Sequence, residues 1–284
     1  MDNIVRFDHE LIQDWTSAGQ VAQLNAPYIA FYKSHDHRLT YVAAKHQRVN
    51  PMTNPTLPLI SMAMMTNPGA VVIESTPNYR VMPGDSLKYG EPAFAAALAS
   101  AKSVPYIGGE AGPAEVFQHL EKQGYSSSDA ANFYILRSMV SDKQLMGLDE
   151  SRLFQLAANQ FPLPRHPSWG EFNRWFDMHN ISGKSLMDME SIDVAPTRSE
   201  GSSYFNTISH HVSTAREMHL NGVIADAINR YGSVVVVYGE GHHVKSASAY
   251  ESALGPPTYQ RADQASASYT SGHVAGSRSQ GHER

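Results

Sequence analysis

The chain has 284 residues, of which 42% are hydrophobic and 17% charged, a formal net charge of −5 and a sequence pI near 6.3. That length and apolar share suffice to bury one large core or two modest ones, and the charge balance supplies no cationic field for nucleic acid or an anionic membrane surface. Cysteine is absent, which excludes disulfides, thiolate metal ligands and a Cys nucleophile together, so any nucleophile is Ser, Thr, a carboxylate or activated water.

At the N-terminus, MDNIVRFDHELIQDW carries acids where a signal peptide carries basic residues. No stretch reaches the roughly 18 consecutive apolar residues of a membrane span. The expectation is a cytoplasmic protein with neither a membrane nor a nucleic acid as partner. Leu11, Ile12, Trp15, Val21 and Leu24 recur at mostly helical spacings and predict a helix over Asp8–Asn25. Tyr28–Tyr32 and Leu39–Ala44 read as a hairpin around SHDHR, with His35 and His37 as exposed turn residues. After a Pro- and Asn-rich stretch, Ala70-Val71-Val72-Ile73 is a buried strand with Glu74 at its exit. A helix over Ala93–Ala101 follows, and then a short strand, Val104–Ile107, closed by Gly108-Gly109-Glu110.

From Pro113 to Phe176 the pattern is helical, broken at Gly124, Gly147 and Pro162, and Gly183–Asn206 reads as a loop. Ser213–Tyr231 predicts a helix capped by Ser213 or Thr214 and stopped by Gly232. The run Val234–Tyr238 predicts a central strand covered on both faces. It leads into a loop, Gly239-Glu240-Gly241-His242-His243, and a helix over Val244–Leu254. Residues 262–284 hold no Leu, Ile, Phe, Met or Trp, which reads as a flexible tail. The fold class expected is therefore α/β, a mostly parallel or mixed sheet with flanking helices. It forms a single domain over residues 1–258, with a helical insertion at about 113–180 covering a cleft and a tail over 259–284.

Ligands of α/β sheets bind beyond the carboxyl ends of the strands. Four predicted strands end in ionisable residues, Lys45-His46, Glu74, Glu110 and Glu240-Gly241-His242-His243, which points to one shared site. Gly239 and Gly241 would let the backbone turn sharply to present His242, with Glu240 and His243 in support. Two readings of the chemistry stand. His46, Glu74, Glu110 and His242 could ligate a divalent ion such as Mn, Co or Zn. Alternatively, an imidazole takes a proton from water while Glu74 orients it and Arg216 stabilises developing negative charge. The plain alternatives are solvated or capping carboxylates for Glu74 and Glu110, and a surface charge for Arg216. No HExxH, Walker loop, GxSxG or GxGxxG sequence occurs.

The stretch AREMHLNGVIADAINRYGSVVVVYGEGHHV, preceded by TYVAAKH and AVVIES, resembles the superfamily of TraB and PrgY proteins, TIKI metalloproteases, erythromycin esterases and haem-binding ChaN proteins. In that superfamily a helix beginning with Arg precedes an apolar strand and a GxxH motif, matched here by Gly239-Glu240-Gly241-His242. The likeness covers roughly residues 38–254. It implies that His46 and His242 face each other across a site with Glu74 and Arg216 between them, joined by Glu110. The first motif departs from the family: it reads Ala43-Ala44-Lys45-His46, with Ala in place of Gly and an ammonium beside His46. The function expected is hydrolysis of an ester or amide in a small-molecule or peptide substrate. The alternatives are haem or small-ligand binding of the ChaN kind, drawing on fourteen His and fourteen Tyr, and a biosynthetic enzyme that reuses the pocket. Homo-oligomerisation is left open.

Overall fold

Four consecutive valines, Val234–Val237, are each fully buried and form the middle of the sheet. Burial of each side chain contributes about 1.5–3 kcal/mol, and β-branching favours the extended backbone. The structure is a computed structural model that describes residues 4–13, 25–45, 53–76, 79–80, 90–161, 165–196 and 202–261. In chain order its elements are β1 (Tyr28–Ser34), β2 (His37–Ala44), α1 (Thr56–Met64), β3 (Ala70–Ile73), α2 (Gly90–Ala101), β4 (Tyr106–Gly108), α3 (Pro113–Lys122), α4 (Ser127–Met146), α5 (Glu150–Gln160), α6 (Trp169–His179), α7 (Tyr204–Tyr231), β5 (Ser233–Gly239), α8 (Glu240–Leu254) and β6 (Thr258–Arg261). They fall into two compact units: a sheet unit of Met1–Ile12, Gln20–Glu110 and Asn221–Arg284, and a helical unit of Gln13–Gly19 and Ala111–Leu220.

The sheet unit is an α/β layer structure around six strands in the order β4-β3-β5-β2-β1-β6. The pairs β4/β3, β3/β5 and β5/β2 are parallel, whereas β2/β1 and β1/β6 are antiparallel. Four strands therefore end at one edge, at Gly108, Ile73, Gly239 and Ala44. The pleat alternates the faces. Val235, Val237, Val42, Val71, Ile73 and Ile29 pack with α1 and α2 through Leu59, Ile60, Ala63, Ala95, Ala96 and Ala99. Tyr28, Tyr32 and Tyr41 point to the other face, where they meet His243 and Tyr250 of α8. A buried polar tie joins the two helices of the first face: Asn54 accepts from Thr56 N at 2.9 Å and donates to Glu91 Oε1 at 2.9 Å.

The helical unit closes around Phe172, Trp175, Phe176, Phe205, Leu136 and Leu153. Its helix starts are capped in the sequence-readable way, by Ser126 with Asp129 for α4 and Ser168 with Glu171 for α6. Trp175 Nε1 donates to Asp129 Oδ1 at 2.9 Å, so one carboxylate serves both a cap and the core. None of the helices among the described residues is long and apolar enough to cross a membrane.

Several boundaries differ from the sequence reading. The helix expected from Ser213 begins at Tyr204, where Asn206 N donates to Ser203 Oγ at 3.1 Å. Phe205, Ile208, Val212 and Ala215 carry its apolar stripe backwards through the polar residues Ser209, His210 and His211, and residues 204–206 of the segment that reads as a loop are helical. The segment before it holds two 3-10 turns, Leu186–Asp188 and Ser191–Val194. Residues 259–261, read as the start of a tail, pair with β1 as β6. Of the first predicted helix, the described part contains a 3-10 turn at His9–Leu11, and residues 14–24 lie outside the described residues. Residues 262–284 lie outside them as well.

Candidate functional site

Glu74 leaves β3 beside β5, and its backbone continues the ladder, Glu74 N donating to Val237 O at 3.2 Å. Its side chain is fixed at the next rung: Oε2 accepts from Gly239 N at 2.8 Å. Glu110 arrives from the outer strand. Gly109 N donates to Ile73 O at 2.9 Å and Glu110 N to Ser75 O at 3.0 Å, which laces the exit of β4 to that of β3. This approach requires glycine at position 108, where a Cβ would lie 2.1 Å from Thr76 O and 2.6 Å from Ser75 O. The carboxylate of Glu110 then accepts from the Tyr238 hydroxyl at 3.1 Å. The last two residues of β5 thus hold one carboxylate each.

His242 completes the group from the first turn of α8. Its Nε2 stands 3.9 Å from Glu74 Oε1, and its ring meets Tyr238 edge to face, with centroids 5.0 Å apart. One ligand atom from each of Glu74, Glu110 and His242 lies within 4.8 Å of the others, and all three residues are half-buried. These three side chains could hold a metal ion: two carboxylates and an imidazole form an oxygen-rich donor set that suits a hard or borderline divalent cation. The amino end of α8 adds partial positive charge, which favours the carboxylates beside it.

The loop expected at Gly239–His243 does not exist. The strand passes straight into α8 at Glu240, and Gly239 has φ −55° and ψ 143°, angles open to any residue. The glycines therefore do not act through unusual dihedrals as the sequence reading supposed. His243 also has another role. It is fully buried, with Nδ1 2.8 Å from the Tyr28 hydroxyl and Nε2 2.9 Å from that of Tyr32. Burial pushes its imidazole down to about 3, and burial likewise raises both tyrosines above their ordinary range. Glu240 accepts from Ala26 N at 3.1 Å, which ties α8 to the start of β1.

Of the other expected residues, His46 lies outside the described residues, although β2 ends two positions earlier at the same sheet edge. Lys45 is exposed. Arg216 stands half-buried on α7 in the helical unit, and the carboxylate–imidazole group is built entirely from the sheet unit. In the helical unit His219 Nδ1 lies 3.0 Å from Glu115 Oε2, while His210 and His211 are helical residues with rings 5.2 Å apart. Tyr238 was missed because it read only as the end of an apolar strand; its hydroxyl at the carboxyl end of β5 was the available signal. Lys245, 3% exposed and one turn beyond His242, had read as an ordinary helix residue. Comparison of the chain with protein-family models, curated proteins and solved structures finds no match.

Proposed function

We propose that the protein is a metal-assisted hydrolase of an ester or amide, with Glu74, Glu110 and His242 as the ligands of a divalent ion such as Mn, Co or Zn. The observation that carries this reading is the meeting of three donor side chains, from the ends of β3 and β4 and the start of α8, within 4.8 Å. Bound by these three side chains, a divalent ion would supply Lewis acidity toward a carbonyl oxygen and toward water near neutral pH. The protein's own contribution is placement. Gly239 N fixes the orientation of Glu74, the Tyr238 hydroxyl fixes that of Glu110, and the Tyr238 ring buttresses His242. Such outer partners set the direction and basicity of metal ligands. The donor set favours this reading over haem, whose iron takes axial His, Cys, Met or Tyr rather than paired carboxylates.

The superfamily resemblance adds His46 as proton acceptor, and an alanine variant tests that assignment apart from the metal ligands. The reading itself is tested by assaying metal-loaded protein against activated esters and amino-acid anilides. Turnover that disappears in a folded His242→Ala variant and on chelation supports it. Turnover that survives both changes removes it.

A further inference from the structure

Two adjacent histidines lie in the first turn of α8, and they point in different directions because successive helical residues are turned by about 100°. His242 faces Glu74, whereas His243 enters the core beneath β1 and β2. A neutral imidazole has one donor and one acceptor nitrogen, and each tyrosine hydroxyl can play either part. Tyr28 and Tyr32 thus satisfy both nitrogens of His243, at 2.8 and 2.9 Å. The two tyrosines lie four residues apart on one face of β1, a span of about 13 Å along the strand, yet their hydroxyls converge on one ring. The Tyr41 ring on β2 closes the third side, its centroid 4.7 Å from that of His243. An apolar ring would fill the same space but would leave two buried hydroxyls without this partner.

We propose that His243, clamped between Tyr28 and Tyr32, is the positioning residue that sets the rotation of α8 about its axis and so aims His242 at Glu74. The proposal rests on His242 and Glu74 belonging to one site. The clamp holds the first turn of α8 to β1, two strands from β5, while the N–H of Gly239, the residue before α8, donates to Glu74 Oε2. Rotation of the first turn is therefore fixed at two points, Gly239 and His243. Loss of one hydroxyl loosens the second point and lets the His242 ring swing from the carboxylates.

The test compares Tyr28→Phe, Tyr32→Phe and His243→Gln with Tyr250→Phe. The last variant removes a buried hydrogen bond from the same helix, Tyr250 to Asn221 at 2.8 Å, two turns or more from His242. Each folded variant is measured by thermal unfolding, by Zn2+ titration, and by the imidazole 15N resonances of His242 in metal-free protein. The expected result is that all four lose thermal stability, while the three clamp variants alone shift the His242 resonances and bind Zn2+ about tenfold or more weakly. Folded clamp variants with wild-type His242 resonances overturn the proposal. A wild-type protein that binds no Zn2+ counts against the metal reading, and the resonances then decide the positioning role by themselves.

Discussion

The backbone N–H of Gly239 donates to Glu74 Oε2 at 2.8 Å, so the residue that ends the central strand also orients the acid that ends its neighbour. One residue earlier, the Tyr238 hydroxyl does the same for Glu110 from the side chain. The carboxylates are thus aimed by β5 rather than by their own strands.

The Tyr238 hydroxyl gives the first prediction. Tyr238→Phe keeps the ring against His242 and removes only the donor to Glu110. Loss of such an outer partner costs about 10–100-fold in metal affinity. Zn2+ titration should show that loss with thermal stability nearly unchanged, and wild-type affinity would refute the role.

Gly108→Ala tests how β4 delivers Glu110. The added Cβ would lie 2.1 Å from a backbone oxygen, which no side-chain rotation relieves. Overpacking of this kind costs about 1–3 kcal/mol. Urea unfolding should register that loss, and metal affinity should fall with it because Glu110 is two residues away. Full stability in the variant would contradict the close approach.

His243 makes stability depend on pH. Its folded-state imidazole is lowered from 6.5 to about 3 by burial, so below about 6.5 the unfolded chain binds a proton that the folded chain refuses. The contribution is fully present above about 6.5 and is lost as pH falls towards about 3, at up to about 1.4 kcal/mol per pH unit. Between about pH 6 and 4, the unfolding free energy of His243→Gln should be less steep in pH by close to one proton. An identical slope would show that His243 titrates normally in the folded protein.

In the helical unit, Asp129 bonds the start of α4 through Ser126 and also accepts from Trp175 Nε1. Burial raises its carboxyl, but the bonds from Ser126, Trp175 and Tyr204 outweigh that effect and hold it below the ordinary range. Asp129→Ala removes a cap contact worth about 1 kcal/mol and leaves a buried indole N–H unpaired, at about 1–3 kcal/mol. Denaturation followed by tryptophan fluorescence should show a loss of about 2–4 kcal/mol. A change under about 0.5 kcal/mol would mean the bond is replaced by water.

What was legible in the sequence follows from which signals are local. The valine run, the alternation on either side of His35 and the apolar strand before Glu74 identify β5, the β1/β2 hairpin and β3, because burial and period are written in adjacent residues. The parallel strand ends then bring Glu74 and Glu110 to one edge, as the ligand-site rule for α/β sheets anticipates. The true start of α7 was hidden by His210 and His211, whose polarity interrupts an apolar stripe that tertiary packing completes. The separate fates of His242 and His243 were equally hidden. Adjacent residues of one type look equivalent until the helix turns one of them towards Tyr28 and Tyr32, contacts more than 200 residues away in the chain.

Whether Glu74, Glu110 and His242 form one cation site is decided by calorimetric titration of Zn2+ and Mn2+ into the metal-free protein and into Glu74→Gln, Glu110→Gln and His242→Asn. A shared site binds one ion tightly per wild-type chain and loses about tenfold or more in affinity in each folded variant. Wild-type protein that binds neither ion, or three variants that all keep wild-type affinity, would contradict it.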